Sequence, residues 1–356
     1  MAVVAVLALI WLAYHGGRLL RPRRTSVGPR REMPAASGLG ALPAVVFLVP
    51  VWNGASDIAP FVRCFRALDL PGRTLVLVAG GDDGSYEEAR RFVAPDIAVL
   101  RQRPGEGKQA ALRKGWRRVP APLVFLTDID CRPDNASVLP LLAHVAAYPR
   151  EVATGVVSPL PEQRHVPLVR MQWAVRQAGW PGAPRPVRGL DGRAIALHRD
   201  AVEASGGFST PAPSGTDYVL ARELVRHGRR LVEMPCAMPT RYPESRPEYV
   251  RKQARWLRNV IVWGLCYRQW RDAAAGGRTV ALPFGLVCLL VAGLWFPPLL
   301  LVPPLLVAHA GLNRVHYSRQ ARIAATPGTV LAHIAADLLA GVLAFRQMLA
   351  GYDGWT

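Results

Sequence analysis

The chain has 356 residues, of which 51% are hydrophobic, and it carries a formal net charge of +19 at pH 7. A mean hydropathy of +0.14 is high for a wholly soluble protein, so the length fits one large soluble domain together with membrane segments. The charge fits nucleic acid, an anionic membrane surface or anionic substrates. The arginines cluster beside apolar runs, at residues 18–31 and 246–271, and this positive-inside pattern argues against nucleic acid as a partner.

The five cysteines lack the C-x-x-C spacing of many metal sites. They are Cys64, Cys131, Cys236, Cys266 and Cys288. Their isolation argues against a structural zinc site and against a disulfide framework. Reduced thiols in a protein that faces the cytosol are the simplest interpretation.

The N-terminal region divides into an apolar segment, residues 1–17, and a basic linker rich in Arg, Pro and Gly, residues 18–42. Ala2 to Tyr14 is uncharged, the positive residues follow it, and it has no clear A-x-A-like cleavage site. A secretory signal carries its positive residues before the apolar run. The opposite order predicts an uncleaved transmembrane anchor whose C-terminal end lies in the cytosol.

Residues 43–245 alternate between apolar runs and amphipathic segments, which predicts a doubly wound α/β domain. Strands are expected at 44–49, 73–79, 97–101, 123–126, 152–157 and 193–198. Helices are expected at 57–68, 86–93, 107–118, 200–204 and 218–227, and residues 158–188 are expected to be irregular. Because crossovers between parallel strands are right-handed, the loops after the first four strands should share one edge of the sheet.

Two carboxylates, Asp128 and Asp130, follow the strand predicted at 123–126. Ligands of open α/β sheets bind just beyond the carboxyl ends of the strands. Two acidic oxygens, with water in the remaining positions, suit Mg²⁺ or Mn²⁺ holding a diphosphate. The alternative is a solvated turn that happens to contain Asp, because D-x-D is short and common.

Thr216 and Asp217 stand at the start of the helix predicted at 218–227. A carboxylate there is either an ordinary N-cap or a functional group that the helix N-terminus helps to keep ionised. The sequence leaves both roles open.

Residues 246–275 predict an amphipathic helix that lies in the membrane interface. Arg251, Arg255 and Arg258 share one helical face, and aromatic residues such as Tyr249 and Trp256 lie roughly opposite. The alternative is a solvated basic face over a packed aromatic stripe.

Residues 276–356 predict about three transmembrane spans, at 279–296, 299–312 and 329–349. Asp337 and Arg346 weaken the last of these. The basic residues of 313–322 predict a cytosolic position for that stretch.

Five features line up along the chain in a recognisable order. They are Pro50-Val51-Trp52-Asn53, Lys108, Asp128-Ile129-Asp130, Thr216-Asp217 and Gln253-Ala254-Arg255-Trp256. Together they resemble the family 2 glycosyltransferases, and among these the membrane-embedded members such as the cellulose and hyaluronan synthases and ceramide glucosyltransferase. The resemblance covers about residues 44–265 and implies a GT-A, Rossmann-like nucleotide-sugar-binding domain with N-terminal and C-terminal transmembrane helices.

The resemblance implies roles for the residues that match its donor-binding motifs. Pro50, Trp52 and Asn53 would form the nucleotide-base pocket, with Trp52 packing on a uracil. Asp82 or Asp83 would read the edge of the base, and Lys108 would lie near the phosphates. Asp128 would touch the ribose and the metal, and Asp130 would ligate the metal.

The remaining motifs imply the catalytic and acceptor residues. Asp217 resembles the general base of the family's Thr/Glu-Asp motif. Gln253, Arg255 and Trp256 resemble its Gln-x-x-Arg-Trp motif, in which the Trp stacks on the acceptor and the Arg faces the diphosphate. This sequence departs from that motif, since Lys252 stands three positions before Arg255 and Gln253 only two.

The function implied is inverting transfer of a sugar from a nucleotide sugar, most simply a UDP-sugar, with Mg²⁺ or Mn²⁺ as cofactor. The setting implied is the cell envelope, with an integral protein of the cell membrane whose catalytic domain is cytosolic. About four spans are few for a polymer channel, which favours a lipid or lipid-linked glycan as acceptor. A processive polysaccharide synthase, a non-catalytic membrane-anchored module that binds a nucleotide sugar, and a hydrolase or phosphotransferase remain alternatives.

Overall fold

A computed structural model describes residues 42–180, 182–212 and 214–350. The N-terminal anchor and nearly all of the basic linker predicted above lie outside the described residues.

The strands and helices alternate up to residue 240 and are followed by helices alone. The strands are β1 (Val45–Trp52), β2 (Arg73–Gly80), β3 (Ile97–Arg101), β4 (Leu123–Leu126), β5 (Glu151–Pro159), β6 (Arg185–Pro186), β7 (Ile195–His198) and β8 (Arg230–Thr240). The first helices are α1 (Ala55–Arg66), α2 (Ser85–Arg90), α3 (Gly107–Trp116), α4 (Asn135–Ala147), α5 (Pro167–Gln177), α6 (Arg199–Ala204) and α7 (Thr216–Arg226). The later helices are α8 (Arg246–Cys266), α9 (Trp270–Ala292), α10 (Val302–Gln320) and α11 (Pro327–Leu349).

The eight strands form one sheet in the order β3-β2-β1-β4-β7-β5-β8-β6. Strands β1 to β4 are mutually parallel, so their loops share one edge, as the sequence predicts. Strand β7 is antiparallel to both β4 and β5, and β6 is antiparallel to β8. The fold is therefore a mixed α/β sheet with a Rossmann-like half.

Both faces of the sheet are covered, which explains why its strands are near-continuous apolar runs. Along β1, Phe47 points into one core cluster, whereas Val46 and Leu48 point into the other. The Phe47 ring lies 5.3 Å from that of Phe65 in α1 and 4.9 Å from that of Phe125 in β4. Aromatic pairs at these spacings add to the burial energy and fix β1 between α1 and β4.

Four elements, helices α4 and α5 and strands β6 and β8, were absent from the sequence prediction. The irregular stretch expected over residues 158–188 is wrong for Pro167–Gln177, which is helix α5 and starts with Pro at its first turn. Helix α4 and strand β8 were not assigned at all. Strand β8 contains Pro235 and Pro239, residues that normally argue against a strand.

The amphipathic helix predicted over residues 246–275 ends earlier. Helix α8 stops at Cys266, and α9 begins at Trp270. Between them Arg268 has a left-handed φ of 56°, which no α-helix interior contains. The chain therefore turns where the sequence pattern appeared continuous.

Three helical stretches are long and apolar enough to cross a membrane, judged by length and composition in the described residues. They are Trp270–Ala292, Pro297–Gln320 and Pro327–Leu349. Large apolar side chains such as Val287 and Leu331 are exposed along them, and an exposed apolar surface of this kind is typical of contact with lipid.

Asp337, which weakens the last span in the sequence, is paired in the structure. Its carboxylate forms an ion pair with Arg314 of α10 and accepts a 2.6 Å hydrogen bond from the Tyr249 hydroxyl of α8. His333 Nδ1 lies 3.4 Å from the same carboxylate. Intramembrane charges normally pair in this way, and here the pairing joins α8 to two of the membrane helices.

Candidate active site

The carboxyl ends of β1 and β2 form one side of the site. Asn53 follows β1 with a left-handed φ of 52°, and its side-chain oxygen accepts a 3.0 Å hydrogen bond from Asp82 N–H. Its own N–H donates to Gly80 O at 3.2 Å. A side chain at Gly81 would collide with Asn53. Asn53 therefore holds the loop after β2 in place.

Of the two carboxylates in that loop, Asp83 is engaged by the protein. It accepts hydrogen bonds from Ala55 N–H at 2.9 Å and from the Ser85 hydroxyl at 2.6 Å. Burial by itself would raise the pKa of Asp83, but these hydrogen bonds lower it below its usual value. Asp82 is exposed and uses only its backbone N–H in this loop, so Asp82 is the carboxylate available to a ligand.

Trp52 lines a pocket of about 440 Å³. The wall opposite comes from the start of α3 and from residues 208–212. The side-chain oxygens of Gln102 and Gln109 belong to the same lining and are buried without a hydrogen-bond partner among the described residues. Pro50, predicted to join this pocket, is buried inside β1 opposite Val78.

Lys108 and Asp128 meet in front of β4. Lys108 lies in the first turn of α3, and its ammonium forms an ion pair with Asp128 Oδ1. Burial alone would lower the pKa of Lys108, but the Asp128 carboxylate opposes this. Asp217 and Asp130 act in the same direction, and the net shift is upward. The structure thus brings together four of the predicted residues, one cation and three carboxylates.

The loop that carries Asp130 is fixed to strand β8. Arg241 N–H donates to Asp130 O at 3.0 Å, and Arg132 N–H donates to Pro239 O at 2.8 Å. The Thr240 hydroxyl lies 3.4 Å from Asp130 Oδ1. A strand that the sequence did not reveal therefore sets the position of the second carboxylate.

Asp217 lies in the first turn of α7. Gly215, with φ of +72°, is the N-cap, and no side chain caps the helix, so the N-cap interpretation of Thr216 and Asp217 is wrong. Burial raises the pKa of Asp217 above its usual value, and the Lys108 ammonium opposes the shift. The helix N-terminus therefore does not dominate, and the shift moves the carboxyl group toward the range useful for a general base.

A loop before β7 adds two residues that the sequence analysis missed. Arg193 holds Asp191 through two hydrogen bonds of 2.8 Å. Although burial would raise the pKa of Asp191, the Arg193 guanidinium holds it far below its usual range. A Cβ on Gly192 would lie 3.3 Å from Asp217 Cβ, so this loop borders Asp217. An acidic–Gly–basic triplet before a predicted strand was the available signal.

Helix α8 supplies a further missed residue, Lys252. Burial lowers the pKa of the Lys252 ammonium, and the carboxylates of Asp130 and Asp128 partly oppose that shift. The guanidiniums of Arg193 and Arg255 lower it further. Lys252 makes no hydrogen bond or ion pair within the described residues, so it is a cation near two carboxylates that no acceptor among these residues engages directly.

The predicted site residues of α8 differ from one another in exposure. Gln253 is half-buried, Arg255 is exposed, and Trp256 exposes 53% of its surface. Lys252, Arg255 and Trp256 lie within one turn of each other. Lys252, at the position three before Arg255, faces the carboxylates.

Within residues 42–350, apart from positions 181 and 213, no three His, Cys, Asp or Glu side chains group as a metal centre. Asp128 and Asp130 offer two hard oxygen ligands, which suit Mg²⁺ or Mn²⁺ rather than a softer metal. Such ions are commonly held by one or two carboxylates together with substrate phosphates. The residues present therefore fit a divalent metal that binds with the nucleotide.

Residues 46–173 match the profile of the family described as glycosyl transferase family 2. The match includes Lys108, Asp128 and Asp130, whereas Asp217 and α8 lie beyond it. No curated protein matches the chain significantly.

Among solved structures, the fold matches mannosyltransferase PcManGT from Pyrobaculum calidifontis in complex with GDP-Man and Mn²⁺. The two are 19% identical with a TM-score of 0.61, over 97% of this chain and 98% of that one. GalNAc-T7 with UDP, GalNAc and Mn²⁺ matches at 14% identity and a TM-score of 0.47, over 64% of this chain and 50% of that one.

These findings support a GT-A, Rossmann-like fold, and within it residues 46–173 are similar to the glycosyl transferase family 2 profile. The match to PcManGT extends through the C-terminal helices, so the whole described architecture is shared with a solved structure. The finer resemblance to cellulose and hyaluronan synthases and to ceramide glucosyltransferase stays a prediction.

Proposed function

We propose that the protein is an inverting glycosyltransferase that moves a sugar from a UDP-sugar to a membrane-associated acceptor, a lipid or lipid-linked glycan. The observation that carries the proposal is the convergence of Lys108, Asp128, Asp130 and Asp217 at one edge of the sheet. The reaction requires a base for the acceptor and countercharge for a departing diphosphate. This cluster contains candidates for both.

Asp217 acts as the base in this proposal. Its carboxylate takes the proton of the acceptor hydroxyl as the oxygen attacks the anomeric carbon from the side opposite the nucleotide. The bond from that carbon to the phosphate oxygen breaks, and the nucleoside diphosphate leaves with the bonding electrons. A pKa raised by burial makes Asp217 a better proton acceptor than an exposed aspartate.

The leaving group is stabilised by cations and by a divalent metal. Asp128 and Asp130 would hold Mg²⁺ or Mn²⁺, which neutralises charge on the diphosphate. Lys108 lies in the same cluster, and Arg255 approaches from α8 together with Lys252. Trp52, Asn53 and Asp82 at the ends of β1 and β2 would bind the base.

A lipid acceptor is supported by the arrangement of α8 and the apolar helices. Helix α8 carries Lys252 near the carboxylates and near Arg255, and the exposed Trp256 lies within one turn of them. The same helix joins the membrane helices through Tyr249 and Asp337. A lipid-borne hydroxyl in the membrane interface would reach the site along α8, with Trp256 orienting it. The α/β domain would then lie in the cytosol, at the cell membrane.

The test is release of nucleoside diphosphate by the detergent-purified protein. UDP-, GDP- and dTDP-sugars are supplied with or without Mn²⁺ and a total membrane lipid extract. We expect release of UDP from one sugar, dependent on metal and increased by lipid, together with a glycosylated lipid of inverted anomeric configuration. Asp217→Asn should lower the rate at least ~10²-fold, as for loss of a general base.

Other outcomes separate the alternatives. Free sugar would indicate a hydrolase, and a long glycan would indicate a processive synthase. Binding of UDP without any product would indicate a non-catalytic module, and each of these results would contradict single transfer to a lipid.

A further inference from the structure

The segment that carries Asp217, residues 214–218, is held from two sides by helices α8 and α9. Resting on the proposed role of Asp217 as the base, we infer that Trp263 and Asp272 are positioning residues that hold the Asp217 carboxylate toward the acceptor. Neither residue touches the reacting atoms. Neither belongs to the motifs that carry the family resemblance.

We call this support of residues 214–218 by α8 and α9 the clamp. Helix α8 forms its first side. Trp263 Nε1–H donates to Ser214 O at 2.8 Å, and the Ser214 hydroxyl donates to Asn259 Oδ1 at 2.7 Å. Gly215 follows with φ of +72°, and a Cβ there would lie 2.8 Å from the Trp263 ring. The backbone just before the base therefore rests directly on Trp263, and glycine is the residue that fits.

The second side is formed by α9. The Tyr218 hydroxyl donates to Asp272 Oδ2 at 2.7 Å, and Asp272 lies in the first turn of α9. The backbone N–H of the same Tyr218 donates to Asp217 Oδ1 at 3.0 Å. In the part of the chain that the structure describes, this N–H is the one hydrogen bond to the Asp217 carboxylate. Tyr218 thus connects the base to the start of a membrane helix.

The two sides act as one support because α8 and α9 pack closely. A Cβ on Gly264 of α8 would lie 2.9 Å from the backbone nitrogen of Ala273 in α9. Helix α8 also carries Arg255 and Trp256, the proposed acceptor and diphosphate residues. The same pair of helices thereby fixes the base and the acceptor residues relative to each other. Displacing a reacting group by about 1 Å costs roughly 10²-fold in rate.

The experiment removes one hydrogen-bond donor at a time and keeps an aromatic side chain at each position. Tyr218→Phe loses the bond to Asp272, and Trp263→Phe loses the bond to Ser214. We expect kcat to fall about tenfold in each, below the full cost of a 1 Å displacement. Both variants should stay close to the wild type in three other quantities. These are the KM for the UDP-sugar, the affinity for UDP with Mn²⁺, and the melting temperature. All measurements use the full chain in detergent with total membrane lipid extract.

Tyr267→Phe is the matched control. The Tyr267 hydroxyl donates to Glu223 Oε1 at 2.7 Å, so it makes the same kind of bond to the same helix α7, closer to its C-terminal end. Removing it should leave kcat within about twofold of the wild type, because the base lies at the other end of the helix.

A second set of variants approaches the clamp from α9. Asp272→Asn keeps an oxygen that accepts from Tyr218 and should retain most of kcat, whereas Asp272→Ala should lose as much as Tyr218→Phe. The double variant Tyr218→Phe/Asp272→Ala should fall no further than either single variant, since both remove one contact. This set also reports on the clamp if Tyr218→Phe fails to fold.

The outcomes separate this inference from the proposed function. If the wild type released no nucleotide from any sugar, the role of Asp217 and the clamp would both be wrong. If Asp217→Asn were inactive while Tyr218→Phe and Trp263→Phe matched Tyr267→Phe, the inference alone would be overturned. Equal losses of kcat in all three Phe variants would also overturn it, because they would indicate a general effect of loosening α7.

Discussion

At the scale of single residues, the site consists of charges whose pKa values depend on each other. Asp217 is buried near Lys108 and also near the carboxylates of Asp191 and Asp128, which raise its pKa further. The carboxylates of Asp128, Asp217 and Asp130 in turn raise the pKa of Lys108. A base with a raised pKa is protonated, and so inactive, at a higher pH than an ordinary aspartate.

The activity should therefore decline on the acidic side at a pH above the ordinary aspartate value of 3.8. Because Lys108 lowers the pKa of Asp217, Lys108→Met should move this decline to still higher pH, in addition to lowering the maximal rate. The measurement is kcat from about pH 4 to about pH 8 with saturating UDP-sugar. A decline at or below the ordinary aspartate value, or no movement in Lys108→Met, would contradict the assignment.

Lys252 gives a second prediction, which concerns the diphosphate. Lys252→Gln should weaken UDP binding about tenfold or more, the size of a lost hydrogen bond to a charged group, and Lys252→Arg should retain most of the affinity. The neighbouring Gln253→Ala is the control and should bind UDP like the wild type. Titration of UDP with and without Mn²⁺ measures both. Equal weakening of UDP binding in Lys252→Gln and Gln253→Ala would contradict a role specific to Lys252, and it would support the role that the motif implies for Gln253.

The residues found from sequence and those missed differ in a physical way. Asp128, Asp130, Lys108 and Asp217 stand at the ends or starts of elements, where period and topology predict a shared edge. Lys252 belongs to a helix whose approach to that edge depends on tertiary packing. Comparison with a linear motif therefore pointed to Gln253. The orientation of α8, which directs Lys252 toward the carboxylates, is visible only in the structure.

At the scale of elements, the first half of the sheet was predictable because its strands are buried on both faces. The bounds of β3 and β4 agree with the sequence prediction residue for residue. Strand β8 escaped because two prolines interrupt an alternating burial pattern. Helix α5 escaped because Pro, Arg and Trp obscured its buried apolar residues, which include Val169 and Met171. Local composition outweighed periodicity in both cases.

The contact between α8 and the membrane helices gives a prediction at this scale. Asp337→Ala would leave Arg314 with its partner removed, and breaking a largely buried pair costs about 3–5 kcal/mol. The melting temperature in detergent should fall clearly. Adding Arg314→Met should restore part of it, since both charges are then gone. Leu339→Ala, at an exposed position of α11, is the control. Unchanged melting of Asp337→Ala would show that the pair does not join these helices.

At the scale of the whole molecule, the positive charge and the apolar helices both favour a protein that works at a membrane surface. Basic residues of α8 and its surroundings precede α9, and the α/β domain precedes them all in the chain. Nucleotide sugars are anionic, and so is the surface of the cytoplasmic leaflet. A net charge of +19 attracts both, which agrees with the proposed position of the protein at that surface.

This arrangement predicts which cysteines a membrane-impermeant maleimide reaches. Cys266 is exposed at the end of α8, and Cys288 is exposed within the apolar helix α9. In sealed inside-out vesicles, whose cytosolic face is outward, a variant retaining only Cys266 should be labelled, whereas one retaining only Cys288 should not, because lipid surrounds it. In right-side-out vesicles neither should react. Labelling of Cys266 in right-side-out vesicles would show that the orientation is the opposite one. Labelling of Cys288 in intact vesicles would show that α9 does not lie in the membrane. Both thiols should react after detergent denaturation, which confirms that the labelling pattern reflects position.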